Sequence, residues 1–219
     1  MKPAENSRRW RTALFRFVVT GIVLVLWFWT QSLIGARTAP ATGIGDALHN
    51  LTAGLNSYFA QHSGAANGLL IVSSALIDAL GLFLLGSWLI GGSVRPFLGL
   101  VLLMALRQLL QALCSLPVPA GMIWHYPGFP SLLVTYHVAN DFFFSGHTAI
   151  AVFGALELSR FHRKWLTSTA ILIVLFEVAT VVILRAHYTM DVFTGILAAL
   201  WISPLSERLS PHLDQRLRG

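Results

Sequence analysis

Six apolar blocks, at about residues 14–35, 68–91, 94–115, 139–159, 165–184 and 186–204, take up most of this chain. Each has roughly the ~20 residues needed to cross the hydrocarbon core of a bilayer. A span in hydrocarbon must satisfy its backbone polar groups internally, so each block is predicted to be a helix. The composition agrees: 55% of the 219 residues are hydrophobic and only 11% are charged. The predicted class is all-α, a polytopic membrane protein built as a six-transmembrane-helix bundle.

The net charge of +6 raises nucleic acid as a partner, but its distribution argues against it. Twelve of the fifteen basic residues fall before or at the start of block 1, between blocks 2 and 3, between blocks 4 and 5, or after block 6. That places them on one side, which the positive-inside rule makes the cytoplasm, with both termini there. Arg37 and Arg185 fall on the other side, and Arg107 lies inside block 3. The organisation read from this is a basic cytoplasmic N-terminus (1–13), a membrane domain (14–204) and a basic cytoplasmic tail (205–219). The membrane domain includes an outer interfacial segment (38–66) and an outer aromatic loop (116–138). Block 1 has some features of a cleaved signal, but Trp27, Trp29 and its length suit an anchor better. The single Cys114 excludes an intrachain disulfide and reads as a packing residue.

Two strings carry the chemistry: Phe144-Ser145-Gly146-His147-Thr148, and His187-Tyr188-Thr189-Met190-Asp191. Ionisable groups are costly at membrane depth, so a functional reading is the default there. His187 and Asp191 at i, i+4 share one face of a predicted helix. Asp191 is expected to hold one imidazole nitrogen as N–H, leaving the other free to attack. His147 lies about eight residues into block 4, roughly 12 Å below its outer end, and Arg107 lies at a similar depth in block 3. Four polar groups from three helices thus share one layer, facing away from the cytoplasm.

Arg107, with Gln111 at i+4 on the same face, offers a fork of donors suited to phosphate. Arg185 is a second candidate for phosphate. Ser145 has a hydroxyl for a phosphoryl oxygen, and Gly146 permits close approach. Asp141 and Tyr188 are supporting candidates. Asp78 and Glu177 are intramembrane acids expected to bridge helices. The outer loop, free of Lys, Arg, Asp and Glu from Leu116 to His137, reads either as an interfacial aromatic belt or as a lid holding a quaternary ammonium by cation–π attraction. In the 38–66 segment, Leu48, Leu51, Leu55, Tyr58 and Phe59 fall at helical spacing, which predicts an interfacial helix. A zinc site of two His and one Asp fits poorly beside a guanidinium, so no metal and no cofactor is called for.

Arg107 with Leu116-Pro117-Val118-Pro119, Asp141 with the Phe-Ser-Gly-His-Thr string, and His187-Tyr188-Thr189-Met190-Asp191-Val192 together resemble the sphingomyelin synthase family. That family is a branch of the type 2 phosphatidic acid phosphatase superfamily. The likeness covers roughly residues 68–204. It implies that His147, His187 and Asp191 match a catalytic triad. It further implies transfer of a phosphocholine or phosphoethanolamine head group from a glycerophospholipid to ceramide, at a non-cytosolic face and without a metal. The Lys-x6-Arg-Pro motif of the wider superfamily is absent, and so is its Ser-Arg pair before the second histidine.

The expected function is an integral membrane lipid head-group phosphotransferase that acts through a phosphohistidine. Its partners are a phospholipid donor, a lipid alcohol acceptor (ceramide or diacylglycerol) and the membrane, not nucleic acid. With water as acceptor, the same residues would make a lipid phosphatase or a C-type phospholipase. A transporter or scaffold with a degenerate site is the non-enzymatic alternative. A bacterial inner membrane suits the compact chain, and a secretory-pathway membrane is the other setting.

Overall fold

The structure, a computed structural model, describes residues 3–36, 44–136 and 142–218. Among them are eight helices and no strand. They are α1 (Pro3–Gly35), α2 (Ala47–Leu51), α3 (Ala53–Gln61), α4 (Ser63–Gly91), α5 (Arg95–Leu113), α6 (Gly146–Ser159), α7 (Lys164–Ile183) and α8 (Thr189–Arg218). The boundaries have local causes. Gly92 ends α4 at φ 85, a left-handed conformation that glycine adopts without a Cβ penalty. Pro96, with its fixed φ and missing N–H, sits in the first turn of α5. The Ser145 hydroxyl accepts from Thr148 N and caps α6.

Five helices are long and apolar enough to cross a membrane, over 9–33, 63–91, 95–113, 164–183 and 189–217. The sixth predicted span differs. Of the 139–159 block, residues 142–145 are not helical and α6 begins at Gly146; its 14 residues reach about 21 Å at 1.5 Å each, short of a ~30 Å core. The cause is the cap: Ser145 is extended, and its N–H donates to Asp191 O (3.1 Å) instead of continuing a helix. His147 therefore stands in the first turn of α6, not two turns into it. Block 6 also differs at its far end. α8 runs through Pro204 and Pro211, so most of the predicted tail after 204 is a continuation of that helix. There Asp214 accepts from Val94 N (2.8 Å) and Ser93 Oγ (3.0 Å), tying the end of α8 to the start of α5.

The short α6 is the hub, packed on α4, α5, α7 and α8. Two glycines let it in close. A Cβ on Gly99 would strike the Phe153 ring, and one on Gly154 would lie 2.9 Å from Leu80. Helix α1 packs loosely and turns Leu14, Phe17, Ile22, Val25, Trp29 and Leu33 outward. An apolar surface of that kind suits hydrocarbon surroundings.

The segments between the long helices also pack into the bundle. The loop after α5 enters the bundle: Leu133 and Val134 are buried, and a Cβ on Gly81, midway along α4, would meet Leu133 Cδ1. Irregular backbone at that level must be satisfied by protein. Asp78 does so, accepting from Ser131 Oγ (2.9 Å), Leu132 N (2.8 Å) and Leu133 N (2.9 Å). Asp78 thus bridges a helix to a loop, whereas Glu177 bridges two helices by accepting from Ser73 Oγ (2.7 Å). The predicted interfacial helix forms as two pieces, α2 and α3. Their Leu51, Leu55 and Tyr58 face outward, while His49 and Asn56 are buried against the protein.

Candidate active site

A pocket at one end of the bundle is lined by both singled-out histidines, His147 from α6 and His187 from the turn before α8, together with Arg107 from α5. Gly146, Trp27, Gln31, Trp124, Thr135 and Phe142 also line it. The two strings meet through backbone. Ser145 N donates to Asp191 O, and α8 crosses so closely that a Cβ on Gly195 would lie 2.8 Å from Ser145 O.

His187 precedes α8 rather than lying on it, so it and Asp191 are joined by a turn. Asp191, fully buried, accepts Tyr188 N on Oδ2 (2.9 Å) and so closes that turn. Its Oδ2 stands 3.8 Å from His187 Nδ1. The direct partner of Nδ1 is Phe142 O at 2.8 Å. A carbonyl only accepts, so Nδ1 carries the hydrogen and Nε2 presents a lone pair. The predicted tautomer forms, but a carbonyl sets it, and the carboxylate supplies a negative charge just behind.

His147 packs its ring edge-on to Trp124, with centroids 5.0 Å apart. Its Nε2 is buried without a hydrogen-bond partner among the described residues. Such an orphan atom is costly unless something occupies the pocket beside it.

Arg107 is buried in the bilayer-length α5 and aims its guanidinium into the same space. Nε donates to Phe144 O (2.9 Å), and NH1 lies within reach of Gln31 Oε1 (3.3 Å) and Gln111 Oε1 (3.4 Å). The predicted i+4 partner is thus in place, and Gln31 from α1 joins it. Gly146 gives Arg107 room, since a Cβ would come 3.2 Å from its Nε, a tight contact.

Other candidates are placed differently. Arg185 adopts φ 54, donates NH1 to Ala120 O and NH2 to His49 O (3.2 Å for the latter), and is not among the residues lining the pocket. It pins a loop. Ser145 is fully buried as the cap of α6, accepting from Thr148 Oγ1 (3.1 Å) as well as Thr148 N. Tyr188 donates its hydroxyl to Pro117 O (3.0 Å) and stacks on His49, so it supports the site from behind. Asp141 lies outside the described residues. Trp124 donates Nε1–H to Thr135 O (3.0 Å), and Tyr136 packs beside it, so this part of the aromatic loop forms a wall of the pocket.

One layer of support was missed from sequence. His49 Nε2–H donates to His187 O (2.9 Å), and Asn56 Nδ2 donates to Ile183 O (2.9 Å) and Gly121 O (3.1 Å). Asp46 caps α2 through Leu48 N (2.9 Å) and His49 N (3.2 Å), and also holds Thr189 N and Oγ1 at 2.6 Å each, where α8 begins. Partial burial pushes the Asp46 carboxyl up, but these bonds, Thr189 foremost, outweigh it and hold the group below the usual 3.8. The signal was an Asp directly before a helical stretch; its second helix was not visible locally.

The space between the imidazoles and the guanidinium is about 40 Å³. One water needs ~10–15 Å³ by that measure, so the gap is on the scale of a phosphoryl group rather than a whole lipid.

Comparison with known proteins adds three findings. The AtPDCT1/2 family model matches residues 45–208. Phosphatidylcholine:diacylglycerol cholinephosphotransferase 1 of Arabidopsis thaliana is 22% identical over 191 residues, which are 87% of this chain and 61% of that protein. The chain therefore spans about three fifths of the length of the curated relative it matches. No solved structure matches the chain.

Proposed function

The chain belongs to the AtPDCT1/2 family, and on that premise we propose that it is a membrane-embedded lipid head-group phosphotransferase. It moves phosphocholine from phosphatidylcholine to the hydroxyl of a second lipid. The observation that carries this reading is the convergence of His147, His187 and Arg107 on one phosphoryl-sized pocket. The relative's name favours diacylglycerol over ceramide as the acceptor.

The chemistry is a double displacement. His187 Nε2 attacks phosphorus; the P–N bond forms as the bond to the glycerol oxygen breaks. His147 gives its proton to the departing diacylglycerol oxygen. An acceptor alcohol then enters, returns its proton to His147 and attacks phosphorus, and the P–N bond breaks. Arg107 offsets charge on the non-bridging oxygens, where positioning and electrostatics supply most of the acceleration. Phe142 O and Asp191 keep His187 in the attacking tautomer and stabilise the cation it becomes. The basic-residue asymmetry supports six crossings with both termini in the cytoplasm and a site facing away from it; in this reading the 14-residue α6 forms part of the fourth crossing.

The test uses purified protein in liposomes of phosphatidylcholine with fluorescent diacylglycerol. Fluorescent phosphatidylcholine is the expected product, lost in His187→Ala and His147→Ala while both variants elute as folded monodisperse protein. Parallel arms carry fluorescent ceramide or no acceptor. A product only with ceramide would restore the sphingomyelin-synthase reading, and diacylglycerol release without any acceptor would make the protein a C-type phospholipase. More than a few per cent activity in His187→Ala would remove that residue from the nucleophile role.

A further inference from the structure

The phosphoryl pocket is far too small for a phospholipid, so the remainder of the molecule has to lie elsewhere. An apolar cleft of about 370 Å³ opens between α1, α4 and α5, within the ~300–1,000 Å³ range of ligand sites. Its walls are hydrocarbon, among them Val23, Leu26, Leu85, Leu100, Val101 and Ala105. Trp27, Met104 and Leu133 line both this cleft and the phosphoryl pocket, so the two spaces adjoin through those three side chains.

The cleft exists because α1 is fastened at two levels and stands off between them. Far from the site, Arg16 NH1 donates to Trp88 O (3.2 Å) with its guanidinium 4.9 Å from the Trp88 ring centre, and Trp88 Nε1 donates to Thr20 Oγ1 (3.1 Å). At the site end, Gln108 Nε2 donates to Gln31 Oε1 (3.1 Å), beside Arg107. The residues between, Val23 to Thr30, meet α5 across the gap. Of the residues that line the cleft, the polar ones, Thr30 and Gln108, lie at the end next to the phosphoryl pocket, and the other lining is apolar apart from the Trp27 indole N–H. That is the polarity of an ester-linked hydrocarbon chain.

We propose that this cleft holds a fatty acyl chain of the phospholipid donor, with its ester near Gln108 and its phosphate beside Arg107. The inference deepens the phosphotransferase reading and rests on it. A second apolar groove of about 360 Å³, bounded by Val152, Leu156, Ile171 and Leu175, shares no residue with the pocket and is the natural control.

Two measurements test the proposal. In the first, the His187→Ala variant sits in nanodiscs of phosphatidylglycerol with a trace of phosphatidylcholine bearing a diazirine midway along one chain. Photoadducts are expected on 23–27 and 100–105, competed by unlabelled phosphatidylcholine. Adducts spread evenly over the lipid-facing helices, or gathered in the control groove, would overturn the proposal. In the second, Ala105→Trp and Val101→Phe each fill the cleft. KM for dioleoyl phosphatidylcholine is expected to rise about tenfold with kcat little changed, the signature of lost uniform binding, while the dihexanoyl donor is unaffected. An equal effect on both donors, or none on either, would count against it. Wild-type protein inactive on both donors would sink the phosphotransferase reading instead, leaving the photoadducts to judge the cleft by themselves.

Discussion

Asp78→Ala should detach the loop that forms one wall of the pocket. In the native structure the Asp78 carboxylate accepts from the Leu132 and Leu133 amides and from the Ser131 hydroxyl, halfway along α4. Alanine leaves two backbone N–H groups without that acceptor, one at exposed Leu132 and one at buried Leu133. An orphaned buried donor costs ~1–3 kcal/mol, so with the exposed amide adding little the loss for local opening is about 3 kcal/mol at most. Since ~1.4 kcal/mol is a factor of ten, amide exchange at Leu132 and Leu133 should speed up by at most about 100-fold. Asp78→Asn keeps one acceptor oxygen and turns an NH2 toward the other donor, so it should fall between wild type and alanine. Transfer activity should drop in the same order, because Leu133, Val134 and Thr135 line the pocket. The assay is hydrogen exchange with mass spectrometry on protein in nanodiscs, paired with the fluorescent diacylglycerol reaction. Unchanged protection across 131–135 together with full activity in Asp78→Ala would refute the assigned role of this carboxylate.

Other outcomes follow from particular contacts. Gly195→Ala puts a methyl 2.8 Å from Ser145 O, so the backbone must shift; overpacking of about 1–3 kcal/mol should lower the melting temperature and separate His147 from His187, cutting kcat. Arg107→Lys loses the Nε donor to Phe144 O and replaces a fork by a point charge; kcat/KM should fall roughly 10²-fold with the fold intact by circular dichroism. Asp46 has a folded pKa below 3.8, so its bonds to Thr189 stabilise the protein above that value and are lost as pH falls through the lower one. The melting temperature of wild type should therefore exceed that of Asp46→Asn by a constant amount near neutral pH, and the two should converge below pH 3.8. A gap that widens in acid would contradict that linkage.

Much of the arrangement was legible because membranes impose simple rules. Five bilayer-length helices follow from runs of apolar residues, and Arg107, His147 and His187 stand out as ionisable groups within or beside those runs. The misreadings share a cause. Phe142, Phe143 and Phe144 read as the opening of a span, yet Ser145 uses its N–H on Asp191 O, a partner 46 positions away that no local pattern announces. His187 looked helical by spacing, but the helix starts two residues later, where Asp46 receives Thr189. Arg185 looked like a phosphate ligand; a positive φ turns it back onto Ala120 and His49 carbonyls. The aromatic loop read as a belt or a lid, neither of which drew it into the bundle, because an anchoring carboxylate 53 to 55 residues upstream cannot be paired with it by periodicity.

Hydrophobic length and the cost of burying charge act along the chain, so residue order alone determined that this is a helical membrane protein carrying two histidines and an arginine in or beside its apolar runs. Which atom holds each imidazole, which loop is drawn into the bundle, and where α1 stands away from α5 were decided only in three dimensions. Hydrogen bonds and close packing act between groups that the chain brings together from far apart, and their partners are chosen by shape after the helices have met.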